Sequence, residues 1–131
     1  MNKQCIHVEG APPAAGPYSH AVRVGEFLFI SGTGPLAADG SDIVHGTVEE
    51  ESARTLENLK TVLVGVGLDL EHVVKTTVYL SDMRNFQVFN NVYKTYFTEN
   101  FPARTCVEVG SLPLGMRMEI EAIAYYPQGL P

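Results

Sequence analysis

Residues 101–126 read FPARTCVEVGSLPLGMRMEIEAIAYY, and how this stretch pairs decides the architecture. Pro102 ends whatever precedes it, and an alternating pattern starts at Arg104. Val107 and Val109 take one parity, while Arg104, Cys106 and Glu108 take the other. After GSLPLG (110–115), Met116, Met118, Ile120, Ala122 and Ala124 share one parity, with Arg117, Glu119 and Glu121 on the other. Two alternating runs around a Gly- and Pro-containing turn read as a β-hairpin. Symmetric pairing joins positions summing to about 225, which sets Cys106 opposite Glu119 and Arg104 opposite Glu121. One sheet face is then expected to gather Arg104, Cys106, Glu108, Glu119 and Glu121. In water such a face is a ladder of modest ion pairs. Under cover it becomes an anion cleft, with a guanidinium for a carboxylate and a partly desolvated glutamate for proton transfer.

Outward from this hairpin the pattern alternates strands and helices. SHAVRV (19–24) and FLFISG (27–32), separated by Gly25-Glu26, predict a hairpin, followed by loop over 32–46 with a short extension at Ile43-Val44. Thr47 and Glu50 form a capping-box signature, with Glu49 to Glu51 at the positive end of the helix dipole. Ser52, Leu56, Leu59, Leu63 and Val66 then make one buried stripe, and Gly65 or Gly67 ends the helix. VVKTTVYL (73–80) is a β-branched strand. Ser81 or Asp82 caps a second helix, whose stripe of Phe86, Phe89, Tyr93 and Tyr96 is core. YPQGLP (126–131) reads as a frayed tail. The order β-β, α, β, α, β-β makes one α+β domain over residues 1–131. Two helices cover only one face of its sheet, so the other predicts a homo-oligomer packed through the sheet.

Composition excludes several classes. The 131 residues are 45% hydrophobic and 18% charged, ordinary for a globular domain. A net charge of −6 with scattered cations disfavours nucleic acid. No apolar run spans a bilayer, and MNKQCIHVEG lacks a signal peptide's apolar stretch, so a cytoplasmic location without membrane partners is expected. Cys5 and Cys106 read as free thiols, and His7, His20, His45 and His72 show no metal-ligand spacing.

Six ordered motifs, GPYSHAV (16–22), SGTGPL (31–36), VVKTTVYLSDM (73–83), NNVYKTYF (90–97), FPARTCVEV (101–109) and MEIEAIA (118–124), resemble the RidA/YjgF/UK114 family from about Gly16 to Tyr125. The resemblance implies a chorismate-mutase-like mixed β-sheet with two helices on one face, assembled as a homotrimer with ligands in clefts between subunits. It implies 2-iminobutanoate/2-iminopropanoate deaminase activity: hydrolysis of reactive 2-imino acids or their enamine tautomers to 2-keto acids and ammonia, with no cofactor or metal. In that reading Arg104 holds the substrate carboxylate and Glu119 positions the attacking water. Cys106 lines the pocket through backbone and shape, and Tyr18, Ser31 and Asn90 are further cleft positions. Thr33 and His20 depart from the glutamines common in the family, which bears on substrate preference. Rival readings are a specialised deaminase of a larger enamine acid, of the aminoacrylate or 2-aminomuconate type, and a non-catalytic ligand-binding or holdase trimer. A translation-inhibitor or ribonuclease role fits the acidic charge least.

Overall fold

The structure, a computed structural model, describes residues 2–128. Six strands form one mixed sheet: β1 (Gln4–Ile6), β2 (Ala21–Val24), β3 (Phe27–Thr33), β4 (Val73–Leu80), β5 (Ala103–Glu108) and β6 (Met118–Tyr125). Their spatial order is β1-β2-β3-β6-β4-β5. All neighbours are antiparallel except β4 and β5, which run parallel. Two helices, α1 (Val48–Gly65) and α2 (Phe86–Tyr96), complete the α+β fold.

The local signals act as their chemistry requires. Gly25 takes φ 60° in the β2–β3 turn, a left-handed conformation that glycine adopts without a steric penalty. Thr47 Oγ1 accepts from the Glu50 amide while the Glu50 carboxylate accepts from the Thr47 amide, closing the capping box of α1. Ser52, Leu56, Leu59 and Leu63 are fully buried, and Gly67 at φ 84° turns the chain away. Leu36 and Ile43 form the short bridge expected in the long loop. Asp82 caps not α2 itself but a 3-10 turn, Met83–Asn85, that leads into it. Phe89 and Tyr93 are buried, with Phe86 and Tyr96 packed at the margin.

The expected final hairpin does not form. β5 and β6 are not neighbours, because β4 lies between them. Cys106 pairs with Val78 and Arg104 with Thr76 across the β4–β5 ladder, whereas Glu119 pairs with Tyr79 and Glu121 with Thr77. Paired residues share a face, so Arg104 and Cys106 lie with Thr76, Val78 and Ile120 on the side covered by helices. Glu119 and Glu121 lie on the other side. The parity of β5 is thus the reverse of that expected: Arg104 and Cys106 are half-buried, and Val107 is 39% exposed. The nine residues between β5 and β6 carry the chain past β4 instead of folding it straight back.

Two further elements escape the sequence pattern. β1 is a three-residue edge strand paired to β2. Tyr126, placed in the tail, is buried, donates its amide to Glu26 and lies under the Arg23 guanidinium at 3.6 Å from ring centroid. The rest of the expected tail, beyond residue 128, lies outside the described residues.

The core sits between helices and sheet, with Leu28, Val78, Leu80, Met118 and Ile120 fully buried beneath Leu56, Leu59 and Phe89. A buried hydroxyl pair, Thr76 Oγ1 and Tyr93 Oη at 2.9 Å, fixes α2 to β4. On the opposite face Phe27, Phe29 and Tyr125 stay 50%, 47% and 40% exposed, an apolar surface larger than isolated exposed residues explain.

Candidate functional site

Two clusters of polar side chains emerge, one on each face of the sheet. On the open face, Glu119 of β6 lies in a cleft of about 500 Å³ with Tyr18, Ser31, Leu36, Leu114 and Glu121. One wall is the loop after β3, and α1 holds it. Asn58, 1% exposed, donates to the carbonyls of Gly34 (3.0 Å) and Leu36 (2.8 Å), while Arg54 donates to its Oδ1. The other wall is the 3-10 turn Pro113–Gly115.

Beside Glu119 the backbone leaves no room for a side chain unless the carboxylate moves. A Cβ added at Gly32 would sit 2.6 Å from Glu119 Oε1 and 2.9 Å from its Cδ. Burial raises the Glu119 pKa above its ordinary 4.5, and the Glu121 charge raises it further. Glu121 is itself held by the Tyr79 hydroxyl, which donates at 2.5 Å; that bond, with burial, lifts the tyrosine pKa to about 12.

The N-terminal wall is tied together locally. Ser31 Oγ donates to the Ser19 carbonyl at 2.6 Å, and Tyr18 Oη accepts from the Ala15 amide at 3.2 Å. His20 has both ring nitrogens engaged: Nδ1 accepts from the Val8 amide and Nε2 faces the Pro12 carbonyl, each at 2.8 Å. Since Val8 N–H occupies Nδ1, the ring proton belongs on Nε2. His20 is therefore a clamp on residues 8–12 as well as a neighbour of the cleft.

The second cluster lies at the other sheet edge, beneath α2. Arg104 of β5 donates from Nη1 to Asn90 Oδ1 at 2.7 Å. Its guanidinium carbon lies 4.9 Å from the Tyr93 ring centroid and 5.6 Å from that of Phe86. These ring faces are attractive surroundings for a cation. No carboxylate pairs with Arg104 among the described residues. Cys106 sits two positions along the strand; burial pushes its thiol up, and the neighbouring Arg104 offsets this only in part. A protonated, half-buried thiol is a poor nucleophile.

Of the residues singled out in the sequence, the structure brings together Arg104, Asn90 and Cys106, and separately Tyr18, Ser31 and Glu119. The expected meeting of Arg104 and Glu119 within one chain does not occur, because a strand separates them and they project from opposite faces. Gly32, Leu36 and Leu114 were not singled out. Only the glycine, directly after Ser31, carried a signal: a bare backbone next to a polar candidate. Among the described residues no three metal-ligating side chains converge, and no helix is long and apolar enough to cross a membrane.

The family described as Endoribonuclease L-PSP matches residues 8–126. A RutC family protein of Pyrococcus abyssi is 46% identical over 95% of this chain and 98% of its own length. The 2-iminobutanoate/2-iminopropanoate deaminase of Mus musculus is 46% identical over 93% of this chain and 90% of its own. The crystal structure of E. coli TdcF with bound serine superposes with a TM-score of 0.87 at 36% identity, covering 93% of this chain and 98% of that one. A family match over most of the chain, and relatives this similar along nearly all of it, lead to one conclusion: the chain belongs to the Endoribonuclease L-PSP family, the RidA/YjgF group that its motifs resemble.

Proposed function

We propose that this protein hydrolyses small 2-imino acids to 2-keto acids and ammonia, at sites that two copies of the chain build together. The observation that carries the proposal is Arg104: a half-buried guanidinium, oriented by Asn90 and two aromatic rings, with no carboxylate partner among the described residues. Such a group suits a carboxylate ligand, which it binds bidentately through its remaining donors. The mouse relative named as a deaminase and the serine-bound TdcF structure support a small amino-acid-like ligand.

The chemistry asks little of the protein. Protonated imine carbon is electrophilic, so the site has only to fix the carboxylate, direct a water and manage protons. Glu119, ionised, takes a proton from the water as its oxygen bonds to the imine carbon. The glutamate's proton passes to the carbinolamine nitrogen; as ammonia departs, the re-ionised Glu119 takes the hydroxyl proton and leaves the ketone, and that proton returns to solvent. The raised Glu119 pKa suits a group that both takes and returns a proton. The paired carboxylates Glu119 and Glu121 in the cleft repel phosphate, so the endoribonuclease description of the family finds no support in its electrostatics.

Homotrimeric assembly through the open sheet face is part of the proposal. It would cover Phe27 and Phe29 and carry Arg104 of one copy to the Glu119 cleft of the next. To test the activity, threonine dehydratase is coupled to semicarbazide trapping of the 2-iminobutanoate it releases. The protein is expected to suppress trapping, Arg104→Ala to abolish the suppression and Glu119→Gln to reduce it strongly. Unimpaired Arg104→Ala would remove the carboxylate role.

A further inference from the structure

Leu114 has an unusual backbone. It stands at φ 59°, ψ 18°, in the left-handed region that bulky side chains avoid, directly before Gly115 at φ 69°. Two turn bonds hold it there: Gly115 donates to the Leu112 carbonyl at 3.2 Å, and Met116 to that of Pro113 at 3.1 Å. The side chain gains no core packing in exchange, being 69% exposed. Glycine or asparagine would take this conformation with less strain. A strained residue that packs against nothing in its own chain's core, at the mouth of a cleft, points to a role in what the cleft receives.

The cleft itself has two unlike kinds of lining. Glu119 and Glu121 are charged, while Leu36, Pro113, Leu114 and Met116 are apolar. We infer that Leu114 is a specificity-determining rim that receives the substrate's side chain and selects 2-imino monocarboxylates with extended aliphatic chains. The inference rests on the imine-hydrolysing role proposed above and names the substrate class of that site. With the carboxylate held by Arg104 and the imine carbon facing Glu119, the side chain has the apolar wall left to it. An anionic side chain would be repelled by Glu119 and Glu121.

The test compares wild type with Leu114→Gly, a change that relieves the backbone and is expected to leave thermal stability equal or higher. Imines are generated by an amino-acid oxidase and competed against semicarbazide. Wild type is expected to favour 2-iminohexanoate over 2-iminopropanoate in kcat/KM and to act poorly on the imine of glutamate. Each methylene removed from water against the rim is worth about fourfold. With between one and two of the three extra methylenes against the rim, Leu114→Gly should reduce the hexanoate-to-propanoate ratio roughly tenfold. An unchanged ratio, including an equal loss on both substrates, overturns the rim. A second arm measures calorimetric binding of the stable products 2-oxopropanoate and 2-oxohexanoate to both proteins. A chain-length preference present in wild type and lost in the variant supports the rim even where no imine is turned over; no preference in wild type overturns it. Failure on every imine refutes the deaminase reading alone, which separates the two claims.

Discussion

Mixing two inactive variants should restore activity, and the expected amount follows from the sheet. β5 and β6 flank β4, so their axes are about 10 Å apart, and Arg104 and Glu119 also project from opposite faces. In a 2-imino acid the carboxylate carbon and the imine carbon are directly bonded, about 1.5 Å apart. Arg104 and Glu119 of one chain therefore cannot serve one substrate. In a closed ring each site draws Arg104 from one copy and Glu119 from a neighbour. Equal amounts of Arg104→Ala and Glu119→Gln, unfolded together in urea and refolded, give intact sites with a chance of one half times one half, roughly a quarter of wild-type activity. The assay is suppression of semicarbazide trapping with 2-iminobutanoate. As a control for subunit exchange, wild type refolded with an equal amount of the double variant should leave roughly a quarter of all sites in the mixture intact, against half when mixed after folding. If the control exchanges while the two single variants together stay as inactive as each alone, the shared site is refuted.

Other perturbations separate stability from activity. Glu119 has a raised pKa in the fold, so its contribution to stability is full below its ordinary 4.5 and is lost as pH rises through the folded value. Glu119→Gln should therefore raise the urea midpoint at neutral pH while reducing turnover; a lower midpoint would contradict the desolvated carboxylate. Gly32→Ala forces the Glu119 carboxylate aside, because the new Cβ lies 2.6 Å from Oε1. Activity should fall more than about tenfold with a small change in melting temperature, and full activity would show that the acid's position is not critical. Arg117 donates to the Gly46 carbonyl at 2.5 Å and pairs with Glu51, whose side chain is 5% exposed. Although burial raises the Glu51 pKa, bonds from Arg117 and the Gly46 amide outweigh it and leave the value lowered. That stabilisation is present above the ordinary 4.5 and disappears as pH falls through the lowered value. Arg117→Met should cost about 2 kcal/mol at neutral pH, discounted from a fully buried pair because the arginine is partly exposed, and the loss should shrink below pH 4 or so.

Much of this fold was legible because its signals are local. The Thr47–Glu50 box, the leucine stripe of α1 and the Gly25 turn each follow from residues within a few positions of one another. What was not legible is non-local. Two alternating runs around Gly110 and Gly115 satisfy every hairpin criterion, yet their partners are β4 for one, and β3 with β4 for the other. Alternation also does not say which face the helices cover. On β5 the polar side lies beneath α2, where Asn90, Phe86 and Tyr93 make room for a guanidinium, and that arrangement depends on how α2 crosses the edge strand. Arg104, Cys106 and Glu119 came from strand parity, Tyr18, Ser31 and Asn90 from motif resemblance, and their division into two clusters came only with the sheet order. Leu114 was illegible for a different reason: a positive φ on leucine leaves no trace in composition or periodicity.

The last of the described strands along the chain is also one of the innermost. β6 lies between β3 and β4, so until residues 118–125 exist, the ribbon β1–β2–β3 and the β4–α2–β5 unit have no shared ladder. A nascent chain on the ribosome thus leaves the β3 edge raw from residue 33 onward and the β4 edge raw from residue 80 onward, until β6 is made. Closing them requires contacts distant in sequence, which slows folding and leaves a window for association with other unfinished chains. The same order means that Glu119 arrives beside Gly32 only as the sheet is sealed. No incomplete chain carries a competent cleft.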